Sequence, residues 1–118
     1  MVTFIAYPPC STCKKAQRFL RDHGIEHTMR HIVETPPTAE EIKAWVNRFG
    51  VDPKKLFNTH GKRYRELDVK AMLPSMSHDD IVSLLSDDGM LVKRPVLVGE
   101  GFVLVGFKEN EWREKLLA

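Results

Sequence analysis

Val2-Thr3-Phe4-Ile5-Ala6-Tyr7-Pro8-Pro9-Cys10-Ser11-Thr12-Cys13-Lys14-Lys15-Ala16-Gln17-Arg18-Phe19-Leu20 decides the fold, because the hydrophobic period changes inside it. Val2 to Tyr7 is a β-rich apolar run stopped by Pro8-Pro9, as expected of a strand buried on both faces. From Cys10 onward, Cys13, Ala16, Phe19 and Leu20 fall on one helical stripe, while Lys14, Lys15, Gln17, Arg18, Arg21 and Asp22 cover the remainder. Gly24 ends this helix and His27 to Val33 reads as a second, weaker strand. Strand, Cys-x-x-Cys helix and strand thus follow one another within about 33 residues.

Beyond Pro36-Pro37, Thr38 with Glu41 three residues later predicts a capping box and a helix through Ile42, Trp45, Val46 and Phe49, stopped at Gly50. Pro53 starts a short turn with Leu56 and Phe57. Arg63 to Leu73 carries Tyr64, Leu67 and Ala71 at helical spacing. Ser77 with Asp79 and Asp80 opens another helix, with Ile81, Leu84 and Leu85 inward and Gly89 after its end. After Arg94-Pro95, Val96–Val98 and Phe102–Val105 flank Gly99-Glu100-Gly101, which predicts a β-hairpin whose glycines take positive φ. A last helix from about Asn110 to Leu117 presents Trp112, Leu116 and Leu117. The order βαβ, helices, ββα predicts an α/β fold: a small mixed sheet with the central helices inserted on one side.

With 118 residues and 42% apolar side chains, the chain reads as one domain that needs no metal or disulfide to fold. Its 18 Lys+Arg against 16 Asp+Glu, both signs interspersed, offer no broad basic field for duplex nucleic acid, so no direct nucleic-acid partner is expected. No apolar run approaches the roughly 20 residues of a membrane span. The chain reads as cytoplasmic, and in a reducing compartment two cysteines this close suggest catalysis, redox sensing or metal binding.

Cys10 and Cys13, three apart at a helix start, share one face at a separation a disulfide can bridge. The loop so closed is too short to contribute much to stability. The helix N-terminus, with Lys14 and Lys15 one turn away, favours a thiolate at Cys10, the expected nucleophile. Cys13, deeper on the apolar stripe, is the expected resolving thiol. Two other readings stand beside this one. Cys10, Cys13, His23 and His27 form C-x2-C-x9-H-x3-H, near a zinc-finger spacing, although Gly24 separates the histidines. The cysteines also fit an inert, half-buried pair.

The stretch from Tyr7 to Ala16, together with Lys93-Arg94-Pro95, resembles the arsenate reductase-like family, which includes the Spx/MgsR regulators. Asn58-Thr59-His60-Gly61, Tyr64-Arg65-Glu66-Leu67, Asp88-Gly89-Met90-Leu91 and Gly106-Phe107-Lys108-Glu109 extend the likeness essentially end to end. The resemblance implies a thioredoxin-like mixed-sheet core over residues 1–33 and 88–118, with a helical insertion over 34–87. It implies that Cys10 attacks an oxyanion such as arsenate. It further implies that Arg94, before a cis Pro95, holds that oxyanion, and that glutathione, glutaredoxin or thioredoxin is the external reductant. Ser11, Thr12, Lys14 and Pro95 would contribute to substrate binding, and no metal or bound cofactor is implied. Two further oxyanion arginines of the well-studied reductases are matched here by Asn58 and Gly106. The regulator branch instead implies a redox switch that binds the C-terminal domain of the RNA polymerase α subunit. Asp52 stands where those regulators carry a glycine.

Overall fold

The computed structural model describes residues 1–117. In chain order its elements are β1 (Val2–Ala6), α1 (Ser11–Asp22), β2 (His27–His31), α2 (Ala39–Phe49), α3 (Lys62–Glu66), α4 (Val69–Met72), α5 (His78–Asp87), β3 (Val96–Val98), β4 (Val103–Val105) and α6 (Glu109–Leu117), with 3₁₀ turns at Pro53–Leu56, Leu73–Ser75 and Gly89–Leu91. They form two compact units. One comprises Met1–His31 and the chain from Arg94 onward; the other is Ile32–Lys93.

The first unit is a four-stranded mixed sheet in the order β2-β1-β3-β4. β1 runs parallel to β2, with Val2 opposite His27 and Ala6 opposite His31. A parallel pair needs a crossover, and α1 supplies it. β3 lies antiparallel on the other side of β1, with Thr3 opposite Val98, and β4 closes a hairpin on β3. β1 is thus interior, which explains why its run Phe4-Ile5-Ala6 is buried throughout rather than alternating. The predicted stripe of α1 is the buried one: Cys13, Ala16, Phe19 and Leu20. These side chains pack with Phe4, Ala6, Leu97, Leu104 and Trp112 into a single core.

In the second unit the capping box of α2 is present in both directions: the Glu41 N–H donates to Thr38 Oγ1 at 3.1 Å, and Glu41 Oε1 accepts from the Thr38 N–H at 2.9 Å. Ser77 and Asp80 repeat the device at α5. Ile81 and Leu85 face inward as expected, whereas the third buried position of α5 is Val82 rather than Leu84.

Two local expectations are corrected. The helical pattern of Arg63 to Leu73 is broken at Asp68, whose backbone is left-handed at φ 52°, ψ 46°. A short polar side chain is among the few that tolerate this region, so the stretch becomes α3 and α4. The hairpin glycines do not carry positive φ. Gly99 is there for space: a Cβ would strike the Phe102 ring, whose own residue accepts the Gly99 N–H at 3.0 Å.

Candidate functional site

The end of β1 sets the position of the first cysteine. After Ala6 the chain turns through Tyr7-Pro8-Pro9, and the Cys10 N–H donates to the Tyr7 carbonyl at 2.9 Å. Cys10 is the N-cap of α1, with extended φ −72° and ψ 125° and a side chain that caps nothing. Its carbonyl accepts the Lys14 N–H at 3.0 Å, the first bond of the helix. The preceding N–H groups belong to the unsatisfied first turn, which has no acidic side chain. Such a terminus favours negative charge, on sulfur or on a bound oxyanion. Ser11, Thr12 and Lys14 are exposed on that turn.

Cys10 is half-buried and Cys13 buried, and both are free thiols. The Cys13 thiol is pushed up to about 12, chiefly because burial penalises its charged form. A backbone hydrogen bond from Tyr7 works against this rise, a hydrogen bond from Cys10 and the Cys10 charge add to it, and the positive charge of Arg94 opposes it. The two sulfurs and the guanidinium thus act on one another. Because the folded state holds the Cys13 proton more tightly than an ordinary thiol near 9.0, its contribution to stability is complete below about pH 9 and is lost as the pH rises towards 12. The urea midpoint of the native chain should therefore fall relative to that of Cys13→Ala over this alkaline interval. Parallel curves for the two proteins would contradict it.

Arg94 precedes Pro95 through a cis peptide bond, and Pro95 is buried. The Arg94 guanidinium carbon lies over the Tyr7 ring, 5.1 Å from its centroid. Tyr7, to which the motif reading gave no role, therefore touches the site through both backbone and ring. Its position between an apolar strand and the prolines was the only local signal. A cavity of about 180 Å³ beside Cys13 is lined by Phe4, Pro8, Lys14, Gln17 and Met29 among others. The larger hollow, about 500 Å³ around Leu20, Gly24 and His27, lies at the other end of α1 and holds neither cysteine.

The zinc-finger spacing is not assembled. His23 caps the far end of the 12-residue α1, about 20 Å along the axis from Cys10, and its ring meets Phe19 in a tilted arrangement at 4.4 Å. Among the described residues, no group of three or more His, Cys, Asp or Glu side chains is placed to hold a metal. Gly106 occupies a backbone role: φ is +75°, its N–H donates to the Pro95 carbonyl at 2.7 Å, and its carbonyl accepts Trp112 Nε1 at 3.1 Å. An arginine there would strain the chain. Asn58 lies in the other unit, its N–H donating to Leu91 at 2.8 Å. In that unit Arg63 is engaged by Asp88 at 3.0 Å and Glu66 at 3.8 Å.

A family model described as the ArsC family matches residues 5–115. The uncharacterized protein YusI of Bacillus subtilis (strain 168) is 49% identical over 113 residues, 96% of each chain. The global transcriptional regulator Spx of Staphylococcus saprophyticus is 31% identical over 116 residues, 98% of this chain and 87% of that one. Among solved structures, a protein described as a possible arsenate reductase from Streptococcus mutans UA159 superposes with a TM-score of 0.85 at 42% identity, covering 92% of both chains. Among the described residues, no helix is long and apolar enough to cross a membrane.

Proposed function

Because the chain belongs to the ArsC family, we propose that it is a thiol–disulfide redox protein in which Cys10 reduces an oxyanion or a disulfide and Cys13 resolves the product. The observation that carries this reading is Cys10 at the N-terminus of α1, hydrogen-bonded to Cys13, whose thiol lies within the electrostatic reach of Arg94.

With arsenate, the Cys10 thiolate would attack arsenic and one oxygen would leave as water. Cys13 would then attack the Cys10 sulfur, forming the Cys10–Cys13 disulfide and releasing arsenite with the electron pair. Arsenic acid and two thiols give arsenous acid, one disulfide and one water. With a disulfide substrate the mixed disulfide is resolved in the same way, and two substrate thiols leave. Glutathione, glutaredoxin or thioredoxin would return two electrons and two protons. The raised Cys13 thiol fits this order of events. Once Cys10 is bonded to substrate, its hydrogen bond and its charge no longer oppose ionisation of Cys13, while the Arg94 charge still favours it. Arg94 is the oxyanion ligand in this scheme, since a guanidinium offers planar donors to two oxygens. Ser11, Thr12, Lys14 and Pro95 would line the substrate.

The likeness to Spx along 98% of the chain supports a second reading, in which the same pair is a redox switch and the partner is the RNA polymerase α subunit. The two readings separate by partner. Glutathione- or thioredoxin-coupled reduction of arsenate or a model disulfide, with no capture of the α subunit, would establish the reductase. Capture of that subunit that depends on the state of the pair, with no turnover, would replace the reductase with the regulator.

A further inference from the structure

Three contacts converge on Tyr7, each through a different part of the residue. Its main-chain oxygen accepts the Cys10 N–H at 2.9 Å. One face of its ring carries the Arg94 guanidinium, with 5.1 Å from Cζ to the centroid. The His31 ring meets it in a T-shaped arrangement at 5.8 Å and 86°. Tyr7 is also only half-buried, unlike Phe4, Ile5 and Ala6 before it, which fill the core. Its ring is therefore not needed to fill the sheet interior, and its contacts join Cys10, Arg94 and His31.

We propose that Tyr7 is a positioning residue of the cysteine site: its carbonyl fixes the Cys10 backbone at the start of α1, and its ring seats the Arg94 guanidinium, whose charge acts on the pair. The proposal rests on the assignment of Arg94 to the site. An arginine side chain has a long flexible stem, and without a surface to lie on its charge is spread over many rotamers. An aromatic face restricts the head by attraction to the ring quadrupole. The hydrogen bond that Tyr7 makes to Cys13 through its backbone adds a second tie between this residue and the pair, one that a side-chain substitution does not remove.

The test is the second-order rate at which iodoacetamide alkylates Cys10 in the reduced full chain. Cys13, buried and held as a thiol, competes little. Tyr7→Leu should slow the reaction about five- to tenfold, and Tyr7→Phe, which keeps the ring, should stay within about twofold of the native chain. In an Arg94→Ala background Tyr7→Leu should add nothing, because both changes remove one interaction. Tyr7→Phe as slow as Tyr7→Leu would overturn the proposal, as would an undiminished Tyr7→Leu effect without Arg94, or an Arg94→Ala chain that reacts at the native rate. Should Tyr7→Leu lose cooperative thermal unfolding, Tyr7→Trp decides: a rate at or above native supports the ring's role, and a slower one rejects it. Alkylation requires no turnover. The reductase reading can therefore fail for want of arsenate or disulfide reduction while the Tyr7 result holds, and the reverse outcome is equally readable.

Discussion

Cys10→Ser should leave a folded protein with no measurable reductase turnover, a loss of at least about three powers of ten. Replacing this one sulfur by oxygen removes two functions at once. A serine hydroxyl at a helix N-terminus stays protonated at neutral pH, so the nucleophile is gone, and no disulfide partner remains for Cys13. The fold has little reason to change. Cys10 caps nothing through its side chain, and serine is a preferred N-cap residue, so the variant should be as stable as the native chain or about 0.5–1 kcal/mol more stable. The measurement pairs steady-state reduction of arsenate and of a model disulfide with a thermal melt. Residual activity above about one per cent would remove Cys10 as the nucleophile. A loss of activity accompanied by unfolding would show that Cys10 holds the structure as well. Under the regulator reading the same variant would lose its redox response and keep a single binding state.

Trp112→Ala should be the most damaging single truncation of the first unit, lowering stability by about 3–5 kcal/mol and the melting temperature by about 10–20 °C. Trp112 is fully buried. Its ring meets Phe4 at 6.5 Å, Phe19 at 6.1 Å and Phe107 at 4.9 Å, each edge-on. Alanine would leave a cavity between α6, α1 and β1 and would orphan the Gly106 carbonyl that Nε1 now satisfies at 3.1 Å. Since small domains are stable by only about 5–15 kcal/mol, such a loss brings the unit close to unfolding. Trp112→Phe separates the two contributions: it keeps most of the volume and forfeits the hydrogen bond, and should cost about half as much or less. The damage should also reach the site, because Gly106 is bonded to the Pro95 carbonyl. A melting temperature within about 4 °C of native for Trp112→Ala would show that the aromatic cluster contributes little.

Much of this architecture was legible because it is local. The α1 stripe, the Thr38–Glu41 box and the end of β1 at the prolines are written in adjacent residues, where a period or a cap can be read directly. The fold class follows from the order of those periods. Asp68 was not legible, because most aspartates in a helical pattern are helical and only the surrounding chain forces φ to 52°. Gly99 was misread for a related reason: a glycine's identity does not say whether it relieves φ or makes room for a neighbour such as Phe102. At the site, the cysteine spacing and its helix start were visible in the motif. The contact of Arg94 with Tyr7 was not, because nothing in a local pattern links side chains so far apart in sequence. Arg94 drew notice only through a family likeness, and Tyr7, which opens the same family-like stretch, was given no role.

The pairing of β1 with β3 on its inner side has a consequence during synthesis. Thr3 has no partner on that edge until Val98 exists, and Arg94 emerges about 80 residues after the cysteines. At about 5–20 residues per second, that delay is roughly 4–16 s. For that time Cys10 and Cys13 leave the ribosome on an unclosed sheet, without the guanidinium and without the core that shields the second sulfur. A nascent chain of this protein is therefore a different chemical object from the finished one. Its thiols meet oxidants and aldehydes as ordinary flexible cysteines, and the selectivity of the site begins only when the last third of the polypeptide has been made.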